Sequence, residues 1–236
     1  MSALADEQSG LVSQLEGVQC VRRAGRDFWC GSLAGKPVVL ALSRVGKVAA
    51  ATTTAALIEA FDVARVVFTG VAGGVGEGVA VGDVVVATDF LQHDMDASPL
   101  FPRFEIPLYS QTVFPTDAPL TALLLRASRA ALQQDRHHGV AIHQGLIASG
   151  DRFVSGAAEA AALVQGLHAA GHYALAVEME GAAVAQVCAD YAVPFAAVRT
   201  ISDRADDQAH VDFSQFVAEV ASVYARSIIG ELMLLL

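Results

Sequence analysis

Short, unbroken apolar runs alternate along the chain with longer stretches in which apolar positions recur at helical spacing. Pro37–Leu42 (PVVLAL), Arg65–Thr69, Asp83–Thr88, Gly145–Ser149, Ala174–Glu178 and Phe195–Ser202 read as buried strands. Lys47–Ala60, Ala118–Gln134, Gly156–Gly166 and Glu180–Tyr191 read as the helices between them. Near the end, Phe213, Phe216, Val217, Val220, Val223, Tyr224 and Ile228 follow the i, i+3, i+4, i+7 rule and predict one more helix with an apolar stripe. No linker, repeat or low-complexity stretch interrupts the alternation, which predicts one α/β domain over residues 1–236. Its central sheet should be mostly parallel or mixed, with helices on both faces. Pro99–Pro119 breaks the pattern with Pro99, Pro102, Pro107, Pro115 and Pro119, and reads as a functional loop or an interface element.

Composition narrows the partners. Apolar residues make up 54% and charged residues 17%, which suits a large core and excludes a disordered chain. Fifteen basic residues face 25 acidic ones, a net charge of −10. No Lys/Arg cluster offers a face to nucleic acid or to an anionic membrane. Ala160–Val177 carries no charged side chain, but Gln165, His168 and His172 make it a poor membrane span. Cys20, Cys30 and Cys188 are few and scattered, with no CxxC, and Met1–Gly10 has no basic start of a secretory leader. A reduced, cytoplasmic chain is the expectation. Low charge with abundant Ala, Val and Leu also suits an oligomer with an apolar contact surface.

Ligands of such sheets bind at the carboxyl ends of the strands, and unusual residues gather there. Thr69–Gly78 (TGVAGGVGEG) follows a strand, and its glycines either let the backbone pack closely on a neutral ligand or form a tight turn between strands. It leads into another strand rather than a helix, which argues against a dinucleotide motif, and Val71 and Ala72 offer little to a phosphate. Glu178-Met179-Glu180 places two acids at the end of a buried run. Carboxylates there could accept the hydrogen bonds of sugar hydroxyls, with Met179 as a soft apolar contact, or Glu180 could simply cap a helix. Asp203 ends an apolar strand after Ser202. Desolvation there would favour its neutral form and let it act as an acid, or it could partner Arg199 or Arg204. Phe153, after a polar turn, could stack a planar base or belong to the core. His93-Asp94-Met95-Asp96 and the His168/His172 pair lack further ligands for a metal, so no metal is expected, and no GxSxG supports a serine hydrolase.

Taken in order, SRVGKVAAA (Ser43–Ala51), TGVAGG (Thr69–Gly74), HDMD (His93–Asp96), SGDRF (Ser149–Phe153), AVEMEGAAVA (Ala176–Ala185) and RTISDRAD (Arg199–Asp206) resemble the 5′-methylthioadenosine/S-adenosylhomocysteine nucleosidases. The resemblance runs over Pro37–Leu236. It implies a nucleoside phosphorylase-like fold and hydrolysis of the N-glycosidic bond of an adenine nucleoside, with no cofactor. Asp203 would protonate adenine N7. Phe153 would stack the base, and the backbone of Val154 would read its edge. Glu178, Met179 and Glu180 would surround the ribose, with Glu180 on its hydroxyls. Val45, Val71, Ala72, Ser202 and Phe213 would complete the pocket, Phe213 on the 5′ side. The resemblance also implies a homodimer in which Leu100, Phe101 and Pro107 of the neighbour close the 5′-thio pocket. The family's first strand, before its Gly-Ala turn, has no counterpart here. Ala3–Glu7 matches the turn and acidic segment, which makes Glu7 the water-activating carboxylate, with Asp6 as the competitor. Neighbouring readings are a futalosine-type nucleosidase, a phosphate-dependent phosphorylase using Arg44 and Lys47, and a nucleoside-binding protein without turnover. An oxidoreductase is disfavoured because no helix follows the glycines.

Overall fold

The computed structural model describes residues 1–134, 139–205, 216 and 220–236, apart from the side chains of residues 6, 9 and 134. Phe213 and Val217 lie outside the described residues, as does the side chain of Asp6.

Helix α1 (Ala5–Val12) precedes an antiparallel meander of β1 (Glu16–Arg23), β2 (Arg26–Leu33) and β3 (Lys36–Ala41). Its two turns, Ala24-Gly25 and Ala34-Gly35, place both residues at positive φ (47° and 71°, 51° and 74°), the turn twist that matches paired strands. The sequence pattern missed the first hairpin because β1 is almost wholly exposed and carries no apolar face.

The central sheet holds β4 (Val66–Gly74), β5 (Val84–Gln92), β6 (Val113–Pro115), β7 (Ile142–Ser149), β8 (Ala174–Glu178) and β9 (Phe195–Asp203), in the order β6-β5-β7-β8-β4-β9. Pairs β4–β9, β5–β7 and β7–β8 are parallel. Strand β5 also meets β9 antiparallel, Val84 opposite Thr200, so the mixed sheet curls back on itself. Strand β9 is buried at every position, and β4, β5, β8 and the second half of β7 are mostly buried on both faces, as the unbroken apolar runs require. Val85 and Ala87 join Phe68, Phe90 and Ile201 against α2 (Lys47–Phe61) and α5 (Gly181–Asp190). Val84 and Val86 join Val198 against α3 (Ala118–Gln134) and α6 (Ser222–Leu235), where Leu124, Tyr224 and Ile228 are buried. Helix α4 (Ala157–Ala169) covers β7 and β8, with Leu167 packed near Leu146 and Val177. The expected helix near the end is thus present from Ser222 and runs past Ile228, the last position of the predicted stripe, to Leu235.

No strand precedes α1 among the described residues; Ser2 forms an isolated parallel bridge with Leu42. Met1 N–H donates to Val67 O (2.8 Å) and Met1 O accepts from Thr69 N–H (3.0 Å). Ser2 N–H donates to Ala41 O and Ser2 O accepts from Ser43 N–H, so two residues link the end of the meander to β4. The glycine-rich run Thr69–Gly78 divides between strand and turn, and Val71, Ala72 and Gly73 of its strand part line a cavity. Residues 69–74 are the last six of the nine residues of β4, and the turn follows at Val75 and beyond. Small residues suit this place because neighbouring side chains come close: a Cβ on Gly74 would lie 3.0 Å from Ile201 Cγ2.

Candidate active site

A cavity of about 450 Å³ opens at the carboxyl ends of β4, β8 and β9. It is lined by Ala3, Leu4, Glu7, Val45, Val71, Ala72, Gly73, Arg152, Phe153, Val154, Val177, Glu178, Met179, Glu180, Ser202 and Asp203. Segments far apart in sequence thus meet in one place, and of the residues that the resemblance assigns to the chain's own pocket all are among them but Phe213, which lies outside the described residues. Leu100, Phe101 and Pro107 do not line the cavity of their own chain, and Leu100 is 84% exposed.

Glu7 stands in the first turn of α1, where a carboxylate meets unpaired backbone donors. Its Oε2 accepts from Ala3 and Leu4 N–H (both 2.9 Å), and its Oε1 accepts from Val71 N–H of β4 (3.2 Å). The side chain is buried. Burial pushes its carboxyl above the usual glutamate range; the three N–H groups and the charge of Arg199 pull the other way without cancelling the shift.

Asp203 ends β9 and is likewise buried. Its Oδ2 accepts from Ser202 Oγ (2.7 Å) and its Oδ1 from Ala205 N–H (2.8 Å). It does not need Arg199, which is engaged elsewhere. Arg199, 1% exposed, donates to Glu178 Oε2 (2.7 Å) and lies over the Phe68 ring at 4.0 Å. Sequence reasoning treated Arg199 only as a partner for Asp203. The signal it passed over was a charged residue inside a strand buried at every position.

The acids of β8 and α5 divide their work. Glu178 is held from all sides: Ser149 Oγ donates to Oε1, Gly181 N–H to both oxygens (3.0 and 2.8 Å) and Arg199 to Oε2. A carboxylate at the start of α5 complements the helix dipole. Glu178 therefore frames the cavity but has little capacity left for a ligand. Glu180 is freer. Its Oε1 accepts from Gly46 N–H (2.9 Å). Burial, and then the charge of Glu178, raise its pKa to about 8.

Asp94 of the HDMD segment takes part in a clasp. Lys47 Nζ donates to Asp94 Oδ1 and to Gln92 Oε1 (3.1 Å), Asp151 N–H donates to Asp94 Oδ2 (2.9 Å), and Lys47 N–H donates to Asp151 Oδ1 (2.7 Å). Three loops are tied together next to Gly46 and Phe153. His93 packs its ring under Gly150, where a Cβ would lie 2.4 Å away.

The model of the phosphorylase superfamily matches residues 1–233, and the chain belongs to that superfamily. A 5′-methylthioadenosine/S-adenosylhomocysteine nucleosidase of Actinobacillus succinogenes is 39% identical over 86% of this chain and 83% of its own length. An aminodeoxyfutalosine nucleosidase of Helicobacter pylori is 37% identical over 88% of this chain and 86% of its own. Among solved structures, the 5′-methylthioadenosine/S-adenosylhomocysteine nucleosidase of Neisseria meningitidis in complex with methylthio-immucillin-A is 36% identical, with a TM-score of 0.90 over 100% of this chain and 97% of that one. Within the superfamily this chain is accordingly a nucleosidase, a hydrolase of the N-glycosidic bond.

Proposed function

We propose that this enzyme hydrolyses 5′-thio-substituted adenosines, 5′-methylthioadenosine and S-adenosylhomocysteine, releasing adenine. The observation that carries this reading is that Glu7 and Asp203, two buried carboxyl groups from opposite ends of the chain, line one cavity together with Phe153, Met179 and Glu180. Adenine is a poor leaving group until it gains a proton. Asp203, protonated, delivers that proton to N7 while Phe153 stacks the base and the backbone of Val154 meets its edge. As the bond to C1′ lengthens, the ribose takes on oxocarbenium character. Glu7, ionised, removes a proton from a water on the opposite face of the sugar, and that water becomes the new hydroxyl on C1′. Glu180 receives the ribose hydroxyls on the oxygen that Gly46 leaves open, and Met179 packs on the sugar. Glu178 and Arg199 hold the floor of the site. No cofactor takes part.

Water rather than phosphate is the acceptor in this reading. Among the described residues the cation lining the cavity is Arg152, and its Nε already donates to Glu159 Oε1 at 2.7 Å. The 5′ substituent points toward Leu4 and Val45, and in the proposed homodimer Leu100, Phe101 and Pro107 of the neighbour would close over it. A cytoplasmic place and a role in salvaging methylthioadenosine go with this substrate. Asp203→Asn keeps the shape and removes the acid. It is expected to lower kcat by about 10²–10⁴-fold, measured by adenine release, with methylthioadenosine still binding. A near-normal kcat would overturn the assignment.

A further inference from the structure

Two glycines of β4 stand directly behind the two carboxyl groups. A Cβ on Gly70 would lie 3.0 Å from Glu7 Oε1 and 3.4 Å from both Glu7 Cδ and Oε2; these are the three nearest atoms. A Cβ on Gly73 would lie 2.9 Å from Asp203 Oδ1, 3.1 Å from Ala205 Cβ and 3.4 Å from Ala205 N. Neither glycine has a positive φ, so backbone conformation does not demand them. What they provide is space, and the space is filled by the site's own carboxyl groups rather than by a ligand. The pairing of β4 with β9 shifts register between Ala72 and Gly73, so Gly73 comes opposite Asp203 itself.

We propose that Gly70 and Gly73 are positioning residues: one strand, through two missing side chains, sets Glu7 and Asp203 at their separate places on the cavity wall. This rests on the roles given to those two groups above. The consequence is a separable pair of defects. A methyl group at Gly70 pushes Glu7 off the Val71 N–H while leaving the base side of the cavity intact. A methyl group at Gly73 displaces Asp203 and weakens contact with purine N7. The charged and titratable groups that bear on Glu7 are Arg199 from β9, Glu180 at the start of α5 and the Met1 amino group. Neither substitution alters any of them, so a moved pH limb would report the lost N–H contact. Loss of an N–H donor disfavours the carboxylate, and the acid limb of kcat moves to higher pH.

The test compares Gly70→Ala and Gly73→Ala, with Glu7→Gln and Asp203→Asn as references. The substrate is methylthioadenosine, and the ligand is its 9-deaza C-nucleoside, whose purine carries N–H at position 7. Gly70→Ala is expected to lower kcat by roughly 10²-fold and to move its acid limb upward, with KM and the affinity for the C-nucleoside within about threefold of the parent. Gly73→Ala is expected to lower both kcat and that affinity by about tenfold or more, without moving the acid limb. Should Gly73→Ala fold poorly, Gly73→Ala/Ala205→Gly removes the second contact; Ala205 has φ 51°, which glycine accepts without strain. A Gly70→Ala enzyme with near-parent kcat, or two variants with the same pattern of losses, would overturn the proposal. If Glu7→Gln itself turned over normally, the role of Glu7 would fall instead, which is a separate result.

Discussion

Arg199 and Glu180 concentrate the electrostatics of the site. Arg199 is buried between Glu178 and the Phe68 ring, and its charge favours the ionised forms of both Glu7 and Glu180. Removing it would leave Glu178 buried without its cation. Arg199→Met is expected to cost about 3–5 kcal/mol of stability, read from urea unfolding. Glu180 behaves in the opposite way, because its pKa of about 8 means that the folded protein holds a proton there at neutral pH. The unfolded chain, with an ordinary glutamate, does not. Between the two pKa values the native state binds more protons, so this group's contribution to stability falls as pH rises from the ordinary glutamate range towards about 8. Glu180→Gln should flatten that decline in the midpoint of thermal unfolding. Sugar hydroxyls donate to a carboxylate and favour its ionised form. Binding of the 9-deaza C-nucleoside at neutral pH should therefore release a proton in the parent and not in Glu180→Gln, measured by calorimetry in buffers of different ionisation enthalpy. The acids of Glu178–Glu180 were visible in the sequence as charges ending an apolar run. Which of them is already satisfied was not, because that depends on Ser149 and Arg199, remote in the chain.

The loops around the cavity are set by the clasp among Lys47, Asp94 and Asp151. Burial would push the Asp94 carboxyl up, but the Lys47 ammonium and the Asp151 N–H outweigh it and hold its pKa below the usual range. The clasp therefore persists from neutral pH downward until Asp94 takes up a proton. Asp94→Asn and Lys47→Met are each expected to raise KM for methylthioadenosine. In the double variant the effects should be non-additive by about 1 kcal/mol, because either change alone opens the same clasp. The HDMD run was legible as unusual, but its partners lie in two other loops and its role followed only from their meeting. The buried strands were legible where runs such as Val84–Ala87, Gly145–Ala148, Ala174–Val177 and Phe195–Val198 are apolar on both faces. The extension of β4 through its glycines was hidden, since glycine reads as turn when nothing shows what it must make room for.

At the scale of the molecule, alternation of strands and helices was enough to give the α/β class and both helical layers. The closure of β5 onto β9 was not, because two unbroken apolar runs say nothing about which neighbours they choose. Nor was the short bridge at Met1–Ser2, which links the meander to β4. Leu100 and Leu108 are 84% and 90% exposed on the proline-rich segment. In the proposed homodimer they would be covered, and sedimentation should give twice the chain mass, with Leu100→Glu weakening the dimer. In the proposed mechanism two carboxyl groups on one cavity wall add water to the ribose carbon as adenine leaves. The most direct measurement is turnover of methylthioadenosine in heavy-oxygen water, with and without phosphate, with products identified by mass. Free adenine and methylthioribose carrying the heavy oxygen, in equal amounts with or without phosphate, is the expected result. Methylthioribose 1-phosphate formed only when phosphate is present would contradict it.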